Sequence, residues 1–203
     1  MKEITIVSGK GGTGKTTVTA ALATSGTSMV LCDGDVDASD LHLILHPEVM
    51  EEHVFEGAWI SEIDADSCSR CGLCREYCRF DAITPGREGN YAIDPFRCEG
   101  CRLCERICPS GAITSRRDTS GRWLISRTRA GVMVHASMKP GQENSGKLVT
   151  LVRQNARKIA DEQDAGFILT DGPPGIGCPA IAALSGTDMA LLVLEPSLSG
   201  LHD

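Results

Sequence analysis

The sequence predicts an α/β protein, a parallel sheet with helices on both faces, interrupted by a small α+β cysteine-rich module. Three observations predict it. A β-branched strand pattern at residues 2–8 runs into a glycine-rich loop and then a helix-forming stretch. Further apolar strands alternate with helical periodicity later in the chain. Between them, eight of the ten cysteines fall in two runs of one spacing, Cys68-x2-Cys71-x2-Cys74-x3-Cys78 and Cys98-x2-Cys101-x2-Cys104-x3-Cys108.

Lys2-Glu3-Ile4-Thr5-Ile6-Val7 alternates as a strand, glycines break it, and Lys15 to Ala23 reads as a helix. A second buried strand, Met29-Val30-Leu31-Cys32, ends in the alternating acids Asp33, Asp35 and Asp37. From about Trp59 to Arg117 the text is cysteine-dense, with short extended pieces at Ala58-Trp59-Ile60 and Asn90-Tyr91-Ala92-Ile93. A slide of 30 positions, from Cys68 to Cys98, superimposes the two runs. Identities fall at all four cysteines, at Leu73/Leu103, and at Ala82-Ile83-Thr84 against Ala112-Ile113-Thr114. Duplication lets a small domain build two equivalent pockets when neither half has a core alone. After the repeat, Gly131 to Val134 reads as a strand. Leu148, Val149, Leu151, Val152, Ala156, Ile159 and Ala160 recur at helical spacing, with Asn144 or Ser145 as N-cap. Gly166 to Thr170 is a strand running into Asp171, and Ala190 to Leu194 is another; the end, at Asp203, reads as a polar turn with no closing helix. The division is therefore 1–58 and 118–203 for the α/β domain and 59–117 for the insert.

At 203 residues, 41% hydrophobic and 23% charged, the composition is that of a globular protein with one sizeable core. The net charge of −7 argues against nucleic-acid binding, which needs a basic surface. No run of about 18 apolar residues predicts a membrane span. The strand pattern begins at once, leaving no room for a signal peptide, so a cytoplasmic location is expected. In a reducing compartment ten cysteines point to metal ligation rather than disulfides.

The loop Gly9-Lys10-Gly11-Gly12-Thr13-Gly14-Lys15-Thr16-Thr17 carries the chemistry of phosphate binding. Several backbone N–H groups must converge on one point, and glycine allows the angles and the close approach. The helix dipole adds to this, Lys15 is placed for the β/γ oxygens, and the Thr16 hydroxyl for Mg²⁺. Ligands of parallel sheets bind at the carboxyl ends of strands, where Asp33, Asp35, Asp37 and Asp171 stand. Thiolate sulfur suits zinc or iron–sulfur clusters, and four cysteines per run, with a close third and fourth, favour clusters over the paired spacing of zinc sites. Cys32, inside a strand, is read as structural.

The cysteine runs are similar to those of bacterial two-cluster ferredoxins, in which the fourth cysteine ligates the other run's cluster. The resemblance implies one [4Fe–4S] cluster on Cys68, Cys71, Cys74 and Cys108, and a second on Cys98, Cys101, Cys104 and Cys78. Pro109 fits the ferredoxin pattern, whereas Arg79 stands where the first run should have proline. Across residues 60–116 nine Asp/Glu face eight Arg, a near-neutral balance for such a module.

The loop itself, with Lys10 early in it, resembles the deviant Walker A of the P-loop NTPases of the MinD/ParA/Mrp/nitrogenase-iron-protein superfamily. Together with Asp33-Gly34-Asp35-Val36-Asp37, Val134-His135-Ala136, Glu143 to Leu148, Asp171-Gly172-Pro173-Pro174-Gly175-Ile176-Gly177-Cys178 and Glu195 to Asp203, it resembles MinD-superfamily ATPases with an inserted ferredoxin domain. That resemblance implies ATP rather than GTP, and a nucleotide-sandwich homodimer in which Lys10 reaches the partner's phosphates. It also implies a switch I aspartate orienting the attacking water (Asp35, with Asp33 and Asp37 as alternatives) and Asp171 holding Mg²⁺. Cys178 sits where the nitrogenase iron protein has a cluster ligand, but a second such cysteine is not identifiable, so it is read as a buried structural residue. Family members continue past Gly200-Leu201-His202-Asp203, so the chain resembles a fragment. The expected function is ATP-coupled electron transfer to an unidentified redox partner protein. A cluster carrier and a positioning ATPase with structural clusters are the alternatives.

Overall fold

The computed structural model describes residues 1–25, 28–86, 89–139 and 145–202. They form two compact units, one from residues 1–55 and 120 onward, the other from Glu56–Thr119.

The first unit is built on a seven-stranded sheet. In chain order its strands are β1 (Lys2–Ser8), β2 (Met29–Asp33), β3 (Glu48–Ile63), β6 (Ile113–Thr128), β7 (Gly131–Met138), β8 (Phe167–Pro174) and β9 (Met189–Leu192). They lie in the order β3-β6-β7-β2-β8-β1-β9. The run β7-β2-β8-β1-β9 is parallel throughout. β6 pairs antiparallel with β7, Gly121 opposite Met138 and Thr128 opposite Gly131, so the sheet is mixed and not wholly parallel as expected. β2 is buried at every residue because it lies in the middle of the sheet with both faces covered.

Alternation along the strands divides the core between the faces. Val30, Cys32, Val134 and Ile168 pack with Leu148, Val149, Val152, Ala156 and Ala160 of α5 (Ser145–Glu162) and with Ala183 of α6 (Cys178–Leu184). Met29, Leu31, Met133 and Leu169 pack with Ala20 and Ala23 of α1 (Lys15–Ala23) and Leu41 and Leu45 of α2 (Leu41–Leu45). The helical residues expected from spacing thus form the buried face of α5, with Leu151 and Ile159 at its margin. Asn144 lies outside the described residues, as does the side chain of Ser145. The expected polar turn at the chain's end is corrected: Leu198–His202 forms a helix, α7.

One buried charge network pins the first strand. Arg153 Nε donates to Glu3 Oε1 at 2.8 Å, its Nη1 to the carbonyls of Ala182 and Ser185, and Arg157 Nε to Glu3 Oε2 at 2.8 Å. Glu3 and Arg153 are both almost fully buried. Arg153→Ala is expected to cost about 3 kcal/mol, because it strips one of two partners from a buried carboxylate and removes the side-chain donor of the Ala182 carbonyl. Urea denaturation, read as a lowered midpoint at unchanged slope, checks this.

The second unit holds α3 (Leu73–Glu76), α4 (Leu103–Ile107) and the antiparallel pair β4 (Ile83–Pro85) and β5 (Tyr91–Ile93). Its repeat is geometric as well as textual. The Asp64 N–H donates to the Ala112 carbonyl at 2.8 Å and the Asp94 N–H to the Ala82 carbonyl at 2.7 Å, the same bond moved by 30 positions and exchanged between halves. Left-handed backbone recurs at Arg70 and Gly100, Gly72 and Arg102, and Asp81 and Gly111. Ala82, Ala112, Ile83 and Ile113 are all buried. The extended piece expected at Ala58-Trp59-Ile60 lies within β3, which with β6 runs for 16 residues.

Candidate functional site

Glycines 12 and 14 turn the chain from β1 into α1 with φ of 78° and 91°, angles that side-chain-bearing residues rarely take. A Cβ at Gly11, Gly12 or Gly14 would meet nothing within 4 Å, so the loop borders open space. Thr13 Oγ1 in that loop is buried with no hydrogen-bond partner among the described residues. An open cradle with an orphaned hydroxyl fits a phosphate group. Lys15, at the start of α1, is buried.

The register of the sheet sets Asp33, the last residue of β2, opposite Asp171 in the carboxyl half of β8. Gly34 N–H donates to the Asp171 carbonyl at 2.8 Å, fixing the end of β2 to β8. Asp171 is buried; its Oδ1 lies 3.1 Å from the Thr19 hydroxyl, which is also 2.9 Å from the Lys15 carbonyl. Burial pushes the Asp171 carboxyl up, while hydrogen bonds from Thr16 and Thr19 and the Lys15 charge pull it down. Thr19 was not anticipated; its spacing of four from Lys15, on the same helical face, is the signal that could have found it. Asp35 is half-buried, and burial, opposed by Lys15, raises it to about 6. Asp37 is exposed. Asp33 is fully buried and bound inward, accepting from the Ser39 hydroxyl at 2.7 Å and the Asp35 N–H at 3.1 Å. It shapes the loop that carries Asp35.

Burial, followed by the charge of Asp171, raises Asp33 to about 8. Its folded-state value thus exceeds the ordinary one near 3.8, and the folded state binds the extra proton between about pH 4 and 8. Stability from this group is fully present below that window and is lost as pH rises through it. Asp33→Asn, which keeps an acceptor for the Asp35 N–H, is expected to flatten the fall in melting temperature of the nucleotide-free protein between pH 5 and 8, checked by thermal melts (about these limits).

Among the described residues no three His, Cys, Asp or Glu side chains are arranged to hold a single metal ion. Mg²⁺ at phosphate sites usually takes one or two protein ligands and completes its shell with water and phosphate oxygens, a role that Thr16 and Asp171 fit. Lys10 has its Nζ 2.6 Å from Glu195 and 3.3 Å from the Ser199 hydroxyl, both in the same chain. Neither partner was anticipated. His135, one of the residues on which the resemblance was based, is buried against Ser126 at 2.8 Å and lowered to about 4 by burial, so it is neutral.

In the second unit the cysteines line two cavities. Cys68, Cys71, Cys74 and Cys108 line one, with Gly72 and Pro109. Cys78, Cys98, Cys101 and Cys104 line the other, of about 240 Å³, together with Cys74. Burial raises the Cys74 thiol, and the neighbouring Cys68, Cys71 and Cys108 raise it further; Cys104 is raised likewise by burial and by Cys98 and Cys101. At Cys108 burial is outweighed by hydrogen bonds from Ser110 and nearby backbone, and the thiol is lowered. Thiols drawn together into two cavities suit a cationic iron core, which removes the charge repulsion among thiolates. Burial pushes Cys32, in the sheet, up to about 12, as befits an inert structural thiol. Cys178, expected to be buried, is exposed, because it opens α6 at the surface rather than packing beneath it.

Residues 62–112 match the family model of the 4Fe-4S dicluster domain. Across 206 aligned residues, 99% of this chain and 70% of the relative, the sequence is 37% identical to an uncharacterized protein of Methanocaldococcus jannaschii. The chain belongs to that protein's family. In this member of the family a phosphate-loop α/β fold is joined to an iron–sulfur domain. The fold is also similar to the septum site-determining protein MinD of Pyrococcus horikoshii, solved with Mg-ADP (21% identity, TM-score 0.49, 99% of this chain and 60% of that one). A second similar structure is the cell division ATPase MinD of Pyrococcus furiosus (23% identity, TM-score 0.44, 99% and 62%). The chain thus spans about three-fifths of the length of these two structures. Among the described residues no helix is long and apolar enough to cross a membrane.

Proposed function

We propose that this chain is a nucleotide-gated iron–sulfur protein, in which ATP binding and hydrolysis at the phosphate loop govern electron transfer through two [4Fe–4S] clusters. The observation that carries the reading is connectivity. The cysteine module leaves the chain after Asp35 and returns before Asp171, on β3 and β6, two strands of the sheet that carries the phosphate loop. Lys15 and the loop amides bind phosphate, Thr16 and Asp171 hold Mg²⁺, and Asp35 orients the attacking water. Lys10 leaves Glu195 and Ser199 to reach the nucleotide of a second copy in a homodimer. Cys68, Cys71, Cys74 and Cys108 hold one cluster, and Cys78, Cys98, Cys101 and Cys104 the other, in a protein of the cytoplasm. When bound, the clusters supply one-electron exchange with a redox partner protein.

The catalytic half of the reading is tested at Asp35. Asp35→Asn is expected to lower ATP hydrolysis on the order of 100-fold with little change in nucleotide affinity, since the residue acts on water and not on the phosphates. In the unsubstituted protein hydrolysis rises through about pH 6 as Asp35 ionises. Undiminished hydrolysis in the variant would assign the water to another group.

A further inference from the structure

The two cysteine cavities repeat in sequence and backbone but differ in charge. Among the described residues, the lining of the Cys68/Cys71/Cys74/Cys108 cavity contains no arginine, lysine or carboxylate. The lining of the Cys78/Cys98/Cys101/Cys104 cavity contains Arg79 and Arg102, against one carboxylate, Glu99.

Arg102 is placed, not incidental. It occupies the left-handed position, φ 61°, that Gly72 fills in the other half at φ 80°. A side chain there is strained, and such strain persists only where surrounding contacts fix it. Two contacts fix this one: the guanidinium lies 4.1 Å from the centre of the Trp59 ring, and Nε donates to Glu105 at 2.8 Å. Arg102 belongs to the cavity lining and Glu105 does not. Arg79 is exposed, takes the place that Pro109 fills in the other half, and makes no ion pair among the described residues.

We propose that Arg79 and Arg102 make the two cluster sites electrically unequal, so that the site of Cys78, Cys98, Cys101 and Cys104 has the higher reduction potential and holds the first electron. This rests on the two-cluster reading above and not on its nucleotide coupling. One-electron reduction adds one negative charge to a cluster and its thiolates. A fixed cation beside the cavity stabilises the reduced form more than the oxidised one, and a carboxylate does the reverse. Among the described lining residues one site carries one positive charge in excess and the other none, and that difference orders the potentials.

The test is an electron-paramagnetic-resonance redox titration of the full chain, reconstituted with iron and sulfide, without nucleotide. The expected result is two one-electron steps whose equilibria differ at least tenfold, about 59 mV. Arg79→Gln and Arg102→Gln should each lower the upper step and leave the lower one in place, whereas Glu99→Gln should raise the upper step. Arg102→Lys, which keeps the charge, should restore most of the shift. Arg79→Gln leaves the Trp59 packing untouched, so it reads out the charge even where an Arg102 variant assembles poorly. Cys78→Ser should disturb the upper step and Cys108→Ser the lower. Coincident steps, substitutions that move neither step or both equally, or an upper step belonging to Cys108 would overturn the proposal. Failure of the unsubstituted chain to retain two clusters would instead overturn the reading beneath it.

Discussion

Alanine at Lys15 is expected to weaken ATP binding by roughly 100-fold or more and to remove hydrolysis. The lysine ammonium is buried at the first turn of α1, and its charge lowers both Asp35 and Asp171. Without it, the phosphate loop loses its buried cation, and a bound phosphate meets Asp35 and Asp171 uncompensated. Like-charge repulsion then adds to the lost attraction, so the effect exceeds that of removing a single hydrogen bond. The substitution leaves Ala20 and Ala23, the core-facing residues of α1, in place, so the fold should survive. Titration calorimetry with ATP and Mg²⁺ measures it. An unchanged affinity would place nucleotide elsewhere on the protein.

Single cysteine substitutions should empty clusters selectively, in a pattern set by the crossed cavities. Cys78→Ala is expected to remove the cluster of Cys98, Cys101 and Cys104, although Cys78 belongs to the other run in sequence. Cys108→Ala should remove the cluster of Cys68, Cys71 and Cys74. Each loss should take iron from about eight to about four atoms per chain. The physical basis is the exchange of backbone bonds between halves, Asp64 to Ala112 and Asp94 to Ala82, which brings the end of each run to the start of the other. Iron analysis of Cys78→Ala combined with Cys98→Ala decides it. Both changes fall on one site, so one cluster should persist, whereas run-by-run ligation would leave none.

The parts of the fold that follow local rules were legible in the sequence. The strand, glycine loop and helix from Lys2 to Ala23 are dictated by backbone angles and periodicity, and the apolar stripe of α5 by its spacing. The 30-residue repeat announced the paired backbone geometry of the cysteine module. Non-local features were not legible. Nothing in Glu51, Glu52 and His53, an exposed polar stretch, announces a strand of 16 residues; β3 exists because β6 pairs with it in the sheet. The antiparallel turn of β6 against β7 depends on a short connection at Ala130, not on either strand's composition. In the site, the residue types that touch phosphate and iron were readable, since chemistry restricts them. Their supporting partners were less so: Glu195 on Lys10 and Trp59 under Arg102 meet across long stretches of chain and leave no spacing to read, and Ser39 reaches Asp33 across a six-residue loop that follows no regular period. Glu3 was not legible either: it alternates with Ile4 and Ile6 as an outward residue would, and only the structure shows it buried against Arg153.

The central claim is that nucleotide state and cluster redox state are coupled. Spectroelectrochemistry of the reconstituted protein, with Mg-ATP, with a non-hydrolysable analogue and with neither, tests it most directly. The account predicts that the nucleotide shifts at least one cluster potential, and that Lys15→Ala loses the shift while keeping both clusters. Potentials identical in all three conditions, with nucleotide demonstrably bound, would contradict it.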